Sequence, residues 1–194
     1  MDTNGYLTFK HRDKPIERRV QGDHDIRLDG IGDLLSRARG ASVFDIGCNR
    51  GLVALDFAKN GATRAMGCDI DETCICVCRE VFADLRSVPH RFEVVDLTGG
   101  PEAMRKAFGS KDGELEHDIV MMLATYHKLK RVMPAKELSE LIRWFGKKTK
   151  RYFGWRGYED EIPLLDKDLG AAGLTRIHTS MISDIQPAAI WARK

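Results

Sequence analysis

The 194-residue sequence lacks several features, and each absence argues against one class of protein or partner. It has no apolar run long enough to cross a membrane and no signal peptide at its start. Neither sign of charge is in excess, since 31 Lys and Arg face 29 Asp and Glu for a net charge of +2. The overall charge therefore does not require a nucleic acid partner. We expect a cytoplasmic protein without internal repeats or low-complexity linkers.

Two common nucleotide fingerprints are also missing from the glycine turn that follows an apolar strand at residues 43–51. A dinucleotide turn needs glycine at its first, third and sixth places, which here are Gly47, Asn49 and Leu52. A P-loop needs Gly-Lys-Ser/Thr where this chain continues with Leu52-Val-Ala. The turn therefore disfavours pyrophosphate and triphosphate ligands.

The same turn suits a ligand without phosphate. Gly47 and Gly51 let backbone N–H groups approach a ligand, and residues 52–60 are predicted to form a helix whose positive N-terminus points at it. Asp45, just ahead of the turn, would repel phosphate but attract a ligand with hydroxyls and positive charge. The pattern Asp45-x-Gly47-x-x-x-Gly51 resembles the first motif of class I S-adenosylmethionine-dependent methyltransferases.

Three later segments follow the order of that family. The second strand ends near Asp69 and Asp71, and the resemblance implies that one of them holds the ribose hydroxyls, with Asp69 the better aligned. The third strand ends at Asp96, whose family counterpart contacts the adenine amino group. The fourth strand and its loop, residues 117–129, resemble the part of the family that faces the methyl group.

The resemblance covers residues 26–194 and implies S-adenosylmethionine (SAM) as cofactor and S-adenosylhomocysteine (SAH) as product. Ligands of open α/β sheets lie beyond the carboxyl ends of the strands, so residues from four distant segments should converge on one cleft. The cofactor-binding residues that the resemblance implies are Asp45, Gly47, Cys48, Asn49, Gly51, Asp69, Ile70, Asp96, Leu97 and Leu123.

The order of strand-like and helical patterns predicts the fold independently. Seven strand-like runs alternate with helical patterns until the last pair, which is typical of a doubly wound, mostly parallel α/β sheet. With 43% apolar residues, the chain suits one seven-strand, Rossmann-like domain closed by an antiparallel C-terminal hairpin. A helix from about Pro134 to Phe145 is predicted to end just before Gly146. The strand-like runs are 41–47, 64–70, 91–97, 117–124, 150–155, 174–182 and 188–193.

His127 and Tyr126, in the loop after the fourth strand, are the candidate catalytic residues. His127 is a candidate general base, because its ordinary pKa of about 6.5 leaves it mostly neutral at pH 7. The alternative is that His127 only closes the loop through a bond to backbone. Tyr126 either stacks against the adenine or the substrate, or is a buried wall residue.

The five cysteines include no Cys-x-x-Cys pair, which is the spacing that zinc knuckles use. Residues 71–86 are predicted to form a helix that places Cys74 and Cys78 on an apolar stripe and Cys76 elsewhere. Cysteine as a small core residue is the preferred interpretation, with metal binding or redox sensing as the alternative. The odd number of cysteines indicates reduced thiols.

A basic and aromatic stretch, Lys147–Arg156, could stack bases and neutralise phosphates of RNA. The alternative is the end of an amphipathic helix and the strand after it, where cations complement the helix C-terminus and aromatics line the core. Lys128, Lys130 and Arg131 could extend a basic rim beside His127.

Residues 1–25 precede the family-like domain, residues 26–194, and are predicted to be an arm without clear periodicity. By resemblance such an arm covers the cofactor or selects the substrate; the simpler alternative is a solvated tail. Its candidate substrate contacts are Tyr6, Phe9, Arg18, Arg19 and His24.

The predicted function is transfer of a methyl group from SAM to an O or N nucleophile of a small molecule, sugar or other metabolite. An RNA (tRNA or rRNA) methyltransferase is the alternative within the same class. A catalytically silent SAM-binding partner subunit is the alternative outside it. Substrate choice lies in loops and in the arm, so the shared sheet does not identify the substrate.

Overall fold

The computed structural model describes residues 6–11, 14–19, 28, 30–109, 112–180 and 186–194. Its strands are β1 (Tyr6–His11), β2 (Lys14–Arg19), β3 (Ser42–Ile46), β4 (Arg64–Asp69), β5 (His90–Val94), β6 (His117–Leu123), β7 (Thr149–Arg156), β8 (Leu174–Ser180) and β9 (Ala188–Arg193). Its helices are α1 (Gly32–Ser36), α2 (Leu52–Lys59), α3 (Glu72–Phe82), α4 (Gly100–Phe108), α5 (Tyr126–Val132), α6 (Ala135–Lys148) and α7 (Ile162–Ala171). Within these described ranges, no helix combines the length and the apolar character needed to cross a bilayer.

Seven strands form one mixed sheet in the order β5-β4-β3-β6-β7-β9-β8. Strands β5, β4, β3, β6 and β7 are parallel, and β9 is antiparallel to both β7 and β8. The predicted fold class and its closing antiparallel hairpin are confirmed. The chain first builds outward from β3 to β5 and then crosses to β6, so the strand order reverses beside β3. Open α/β sheets bind ligands at such a switch point.

Helices cover both faces of the sheet, which explains why β3 is an almost continuous buried run. Phe44 and Ile46 face a core shared with α4, α6 and α7. Val43 faces the opposite side and packs in a core with α1 and α2. The sheet is therefore fixed from both sides, and its strand ends are left as the surface on which a site can be built.

Helix α6 buries the predicted stripe Leu138, Leu141, Ile142 and Phe145 but does not end at Phe145. It continues through Gly146 to Lys148, so the predicted role of Gly146 as a helix stop is wrong. A Cβ on Gly146 would lie 2.6 Å from the Cβ of Ala172. This glycine therefore permits close approach to the end of α7.

The N-terminal segment contains an element that the sequence analysis did not predict. Strands β1 and β2 pair antiparallel, from Tyr6 opposite Arg19 to His11 opposite Lys14. Phe9 and Arg18 also lie in this two-stranded sheet, whereas His24 lies outside the described residues. The division into an arm and a domain, and the substrate contacts assigned to the arm, stay predictions.

Candidate functional site

The turn after β3 has a backbone that only small residues fit. Gly47 and Gly51 have φ of +74° and +72°, and Asn49 between them has φ of +49°. A Cβ on Gly47 would overlap the hydroxyl oxygen of Thr125, and one on Gly51 would lie 2.9 Å from the Sγ of Cys78. Glycine is needed here both for the left-handed backbone and for the close approach of neighbouring elements.

Backbone hydrogen bonds fix the turn to β4, and the turn leaves the N-terminus of α2 without a side-chain cap. The N–H groups of Gly47 and Cys48 both donate to the carbonyl of Cys68, at 2.8 and 2.9 Å, which ties the turn to the end of β4. Gly51 is the N-cap of α2, and no side chain among the described residues caps that helix. The first N–H groups of α2 are therefore available to a ligand at the positive end of the helix.

Asp69 and Asp71 have different roles in the structure. The carboxylate of Asp69 accepts the N–H of Asn49 on one oxygen at 2.8 Å and the N–H of Asp71 on the other at 3.1 Å. Asp71 is the N-cap of α3 and accepts the N–H groups of Thr73 and Cys74, which lower its pKa. Asp69 is thus attached directly to the glycine turn, whereas Asp71 caps a helix.

The ends of β4 and β5 provide an apolar surface beside Asp69. Ile70 is 66% exposed and Val94 is 41% exposed. Asp96 follows β5 and accepts both the N–H and the hydroxyl of Thr98 on one oxygen, Oδ1, and these bonds lower its pKa. Leu97 is buried in the larger core. Ile70 and Asp96 therefore lie at the predicted edge, and Leu97 supports it from below.

The Asp45 side chain is only 3% exposed, so it lies on the buried side of the turn. Its charge helps to raise the pKa of the thiols of Cys48 and Cys68, the latter to about 12, although the largest causes are the hydrogen bond between Cys48 and Cys78 and burial, respectively.

The cysteines occupy the core as their helical spacing predicts. Cys74 and Cys78 lie on the buried stripe of α3, and Cys76 is exposed. Cys48 and Cys78 have sulfur atoms 3.9 Å apart, and Cys78 donates to the carbonyl of Asn49 at 3.0 Å. Within the described part of the chain, no cluster of three or more His, Cys, Asp or Glu side chains is arranged to hold a metal ion.

The loop after β6 connects the glycine turn to the other half of the edge. Leu123 is half-buried at the end of β6, and Ala124 follows with a φ of +54°. The Thr125 hydroxyl lies against Gly47 and within 3.3 Å of the carbonyls of Ile46 and Leu123. A change in either segment would therefore be transmitted to the other.

The two candidate catalytic residues differ in accessibility. Tyr126 is only 3% exposed, and burial raises its pKa to about 12, so it is a wall of the core. His127 is half-buried, and burial together with the charges of Lys128 and Arg131 lowers its pKa. Because its pKa is below the ordinary value, the His127 imidazole is mostly neutral at pH 7. Its ring packs edge-to-face on Tyr158, with ring centroids 5.0 Å apart.

Comparisons with known proteins find similarity to methyltransferases, both in sequence and in structure. The family model of ribosomal protein L11 methyltransferase (PrmA) matches residues 28–121. The L11 methyltransferase of Citrobacter koseri is 38% identical over 78 residues, which are 40% of this chain and 25% of that protein. The chain thus spans about a quarter of the length of that curated relative.

Solved structures are similar over most of the chain. Magnesium protoporphyrin IX methyltransferase from Synechocystis PCC 6803, with bound SAM, has a TM-score of 0.62 and 21% identity, covering 86% of this chain and 78% of that one. The L11 methylase from Lactobacillus delbrueckii subsp. bulgaricus has a TM-score of 0.62 and 15% identity, covering 97% and 82%. The chain therefore has the fold of the class I SAM-dependent methyltransferases.

The predicted resemblance to class I SAM-dependent methyltransferases is therefore confirmed, and SAM is the cofactor of the methyltransferases that this chain resembles. The match to L11 methyltransferases ends at residue 121, within β6. It covers the turn, Asp69 and Asp96 but stops before His127. The sequence match to this family therefore leaves out residues 122–194, whereas the L11 methylase structure is similar in fold over 97% of the chain.

The lysines of the basic stretch Lys147–Arg156 do not lie at the edge that carries His127, although Arg156 at the end of β7 does. The stretch runs from the end of α6 along β7, so its lysines lie at the amino end of the sheet, about 23 Å from the carboxyl end of an eight-residue strand. Phe153 and Trp155 are fully buried and cannot stack on bases. The interpretation as a helix end and a core strand agrees with this burial.

Two residues at the site were missed by the sequence analysis, Thr125 and Tyr158. The contact of Thr125 with Gly47 joins residues 78 positions apart, and no local pattern signals it. Tyr158 follows the carboxyl end of β7, so the rule that ligands lie beyond strand ends would have pointed to it.

Proposed function

We propose that this protein transfers a methyl group from SAM to an oxygen or nitrogen nucleophile of a small molecule, such as a sugar or another metabolite. The observation that carries the proposal is a neutral, half-buried His127 on the same sheet edge as the glycine turn and Asp69. The residues of this site come from distant parts of the chain, and their convergence on one edge is the arrangement expected of a ligand-binding site.

Three exposed apolar side chains lie at this edge. Ile70 follows β4 directly and Val94 is the last residue of β5, in the half that would bind the cofactor. Tyr158 follows β7, in the half where an acceptor would bind. Such surfaces are typical of ligand sites.

The residues present fit SAM. The uncapped α2 and the glycine turn would receive the amino acid part, Asp69 would accept the ribose hydroxyls, and Ile70 would pack on the adenine, with Asp96 at its amino group. When bound, the sulfonium supplies the methyl group. His127 would take the proton of the nucleophile as it reacts, which is worth about 10²–10⁴-fold in rate. Tyr126 is too buried to take part.

Protein and RNA have less support as methyl acceptors. The L11 methyltransferase match stops before the acceptor half, so a protein acceptor rests on the cofactor half alone. An RNA acceptor has less support, because the lysines of the Lys147–Arg156 stretch lie at the opposite edge, although Lys128, Lys130 and Arg131 add positive charge on the same helix as His127.

The test is incorporation of a labelled methyl group from SAM into three separate fractions: a metabolite extract, total RNA and ribosomal protein. We expect label in the metabolite fraction, and His127→Ala should lower it at least tenfold while SAM affinity stays within twofold. Label mainly in RNA or protein would overturn the proposed acceptor. SAM binding without label in any fraction would indicate a silent SAM-binding subunit.

A further inference from the structure

His127 sits on α5 beside the loop that follows β7, and the sheet brings these two segments together. Strands β6 and β7 are parallel neighbours, with Leu123 in register with Arg156. The N–H of Ala124 donates to the carbonyl of Arg156 at 2.8 Å, so the pairing continues one residue past β6. His127 and Tyr158 follow within a few residues and therefore emerge side by side.

The two side chains make a direct ring contact. The His127 and Tyr158 rings have centroids 5.0 Å apart and an interplanar angle of 74°, an edge-to-face arrangement that aromatic pairs favour. Tyr158 is 46% exposed. Its ring is therefore held by this local contact on an open edge and not by burial in the core.

A second contact fixes the same loop to the same helix. The ammonium of Lys130 pairs with the carboxylate of Asp160 at 2.6 Å. Lys130 is three residues after His127 on α5, so both lie on one side of the helix. Asp160 is two residues after Tyr158. This ion pair is exposed to solvent, so it adds only a weak second restraint between the loop and α5.

His127 lacks the hydrogen bond that usually orients a working histidine. Catalytic and metal-binding imidazoles are generally oriented by a partner on the ring nitrogen that does not react. The Nδ1 atom of His127 is buried and has no hydrogen-bond partner among the described residues. The orientation of this ring therefore depends on packing, and Tyr158 is the aromatic residue packed on it.

We infer that Tyr158 is a positioning residue for His127, and that the Lys130–Asp160 pair fixes the loop that carries Tyr158. The inference rests on the proposed function, because it takes His127 as the base. Tyr158 itself receives no proton; its ring keeps the imidazole in one orientation for the acceptor.

The first experiment needs no methyl acceptor. The His127 imidazole is titrated by NMR in the whole protein, with its signal assigned by its loss in His127→Gln. Lys128 and Arg131 are the charged groups that lower its pKa besides burial. Tyr158→Leu should raise this pKa toward 6.5, because water gains access to the ring, whereas Tyr158→Phe should leave it unchanged. A wild-type pKa in Tyr158→Leu would overturn the inference.

The second experiment measures labelled methyl incorporation from SAM into the metabolite extract. We expect Tyr158→Leu to lower the rate at least fivefold with SAM affinity within twofold, and Tyr158→Phe to stay within twofold of wild type. Asp160→Asn should give a smaller loss, and Ile177→Ala, 55% exposed on β8, is the matched surface control. An undiminished rate in Tyr158→Leu would overturn the inference.

The two readouts separate this inference from the function on which it rests. If wild-type protein labels no fraction, the proposed function fails and the role of Tyr158 fails with it, even though the NMR titration still shows the ring contact. If wild type is active but Tyr158→Leu and Tyr158→Phe lose the same activity, the ring packing is not what Tyr158 contributes.

Discussion

Replacing Gly47 by alanine tests whether the turn needs both its left-handed backbone and its close contact with Thr125. The φ of +74° at Gly47 is unfavourable for alanine, and the new Cβ would overlap the hydroxyl of Thr125. Thr125 cannot easily move, because it is 8% exposed and its hydroxyl lies within hydrogen-bonding distance of two carbonyls. Gly40 provides the matched control, since it has a φ of +76° but nothing within 4 Å of an added Cβ.

The two variants separate the two costs. Left-handed backbone costs about 1–2 kcal/mol for alanine, and this is all that Gly40→Ala should lose. Gly47→Ala adds overpacking of about 1–3 kcal/mol, so its total should be about 2–5 kcal/mol. Urea unfolding measures both losses, and calorimetry should show SAM affinity reduced at least tenfold for Gly47→Ala and unchanged for Gly40→Ala.

A double variant sharpens the test. Thr125→Ala removes the overlapping hydroxyl, so it should partly restore stability in the Gly47→Ala background although it destabilises the wild type by about 1 kcal/mol. If Gly47→Ala is no more destabilised than Gly40→Ala, the close contact between the turn and the β6 loop is not present in solution, and the reasoning is refuted.

Substitutions at four further residues have distinct expected results. Asp69→Asn leaves one of its two backbone N–H partners without an acceptor, so it should lower Tm and weaken SAM binding at least tenfold. Asp71→Ala removes the N-cap of α3, so it should lower Tm with SAM affinity within twofold of wild type. Calorimetry and thermal unfolding distinguish the two, and equal loss of affinity in both would contradict the assignment. The pKa of His117 is lowered from 6.5 to about 4, chiefly by burial. The unfolded chain therefore binds a proton as pH falls below 6.5 while the folded chain does not until about pH 4, so urea unfolding should show up to about 3 kcal/mol of stability lost across this window. His117→Phe should remove that slope, and an unchanged slope would exclude His117 as its source. Arg193 donates to three backbone carbonyls at 2.6–3.0 Å, so Arg193→Met should cost about 2–4 kcal/mol in urea unfolding, and Arg193→Lys should restore little of it.

Local patterns were sufficient to predict the sheet and the turn. A buried strand, two glycines and a helix occur within residues 43–60, so period and composition specify them without tertiary information. The carboxyl ends of parallel strands meet at one edge, which is why acids as distant as Asp69 and Asp96 could be assigned to one cleft before their contacts were known.

Features that depend on contacts between distant segments could not be predicted. Sequence favoured Asp69 over Asp71 by alignment alone, and it gave no sign of the hydrogen bond from the Asn49 N–H that attaches Asp69 to the turn. Gly146 fits a helix end by local rules, but α7 packs close enough to require glycine inside the helix. Tyrosine is a common residue type in binding sites, yet Tyr126 is buried. The elements that pack around a side chain decide its burial, and local sequence does not show them.

The most direct test of the central claim is calorimetric titration of the purified protein with SAM, SAH, NAD⁺ and ATP. The turn lacks both phosphate fingerprints and joins Asp69 to an uncapped helix, so we predict micromolar, one-to-one binding of SAM and SAH and none of NAD⁺ or ATP. Absence of SAM and SAH binding, or equal binding of the phosphate-bearing ligands, would contradict the account.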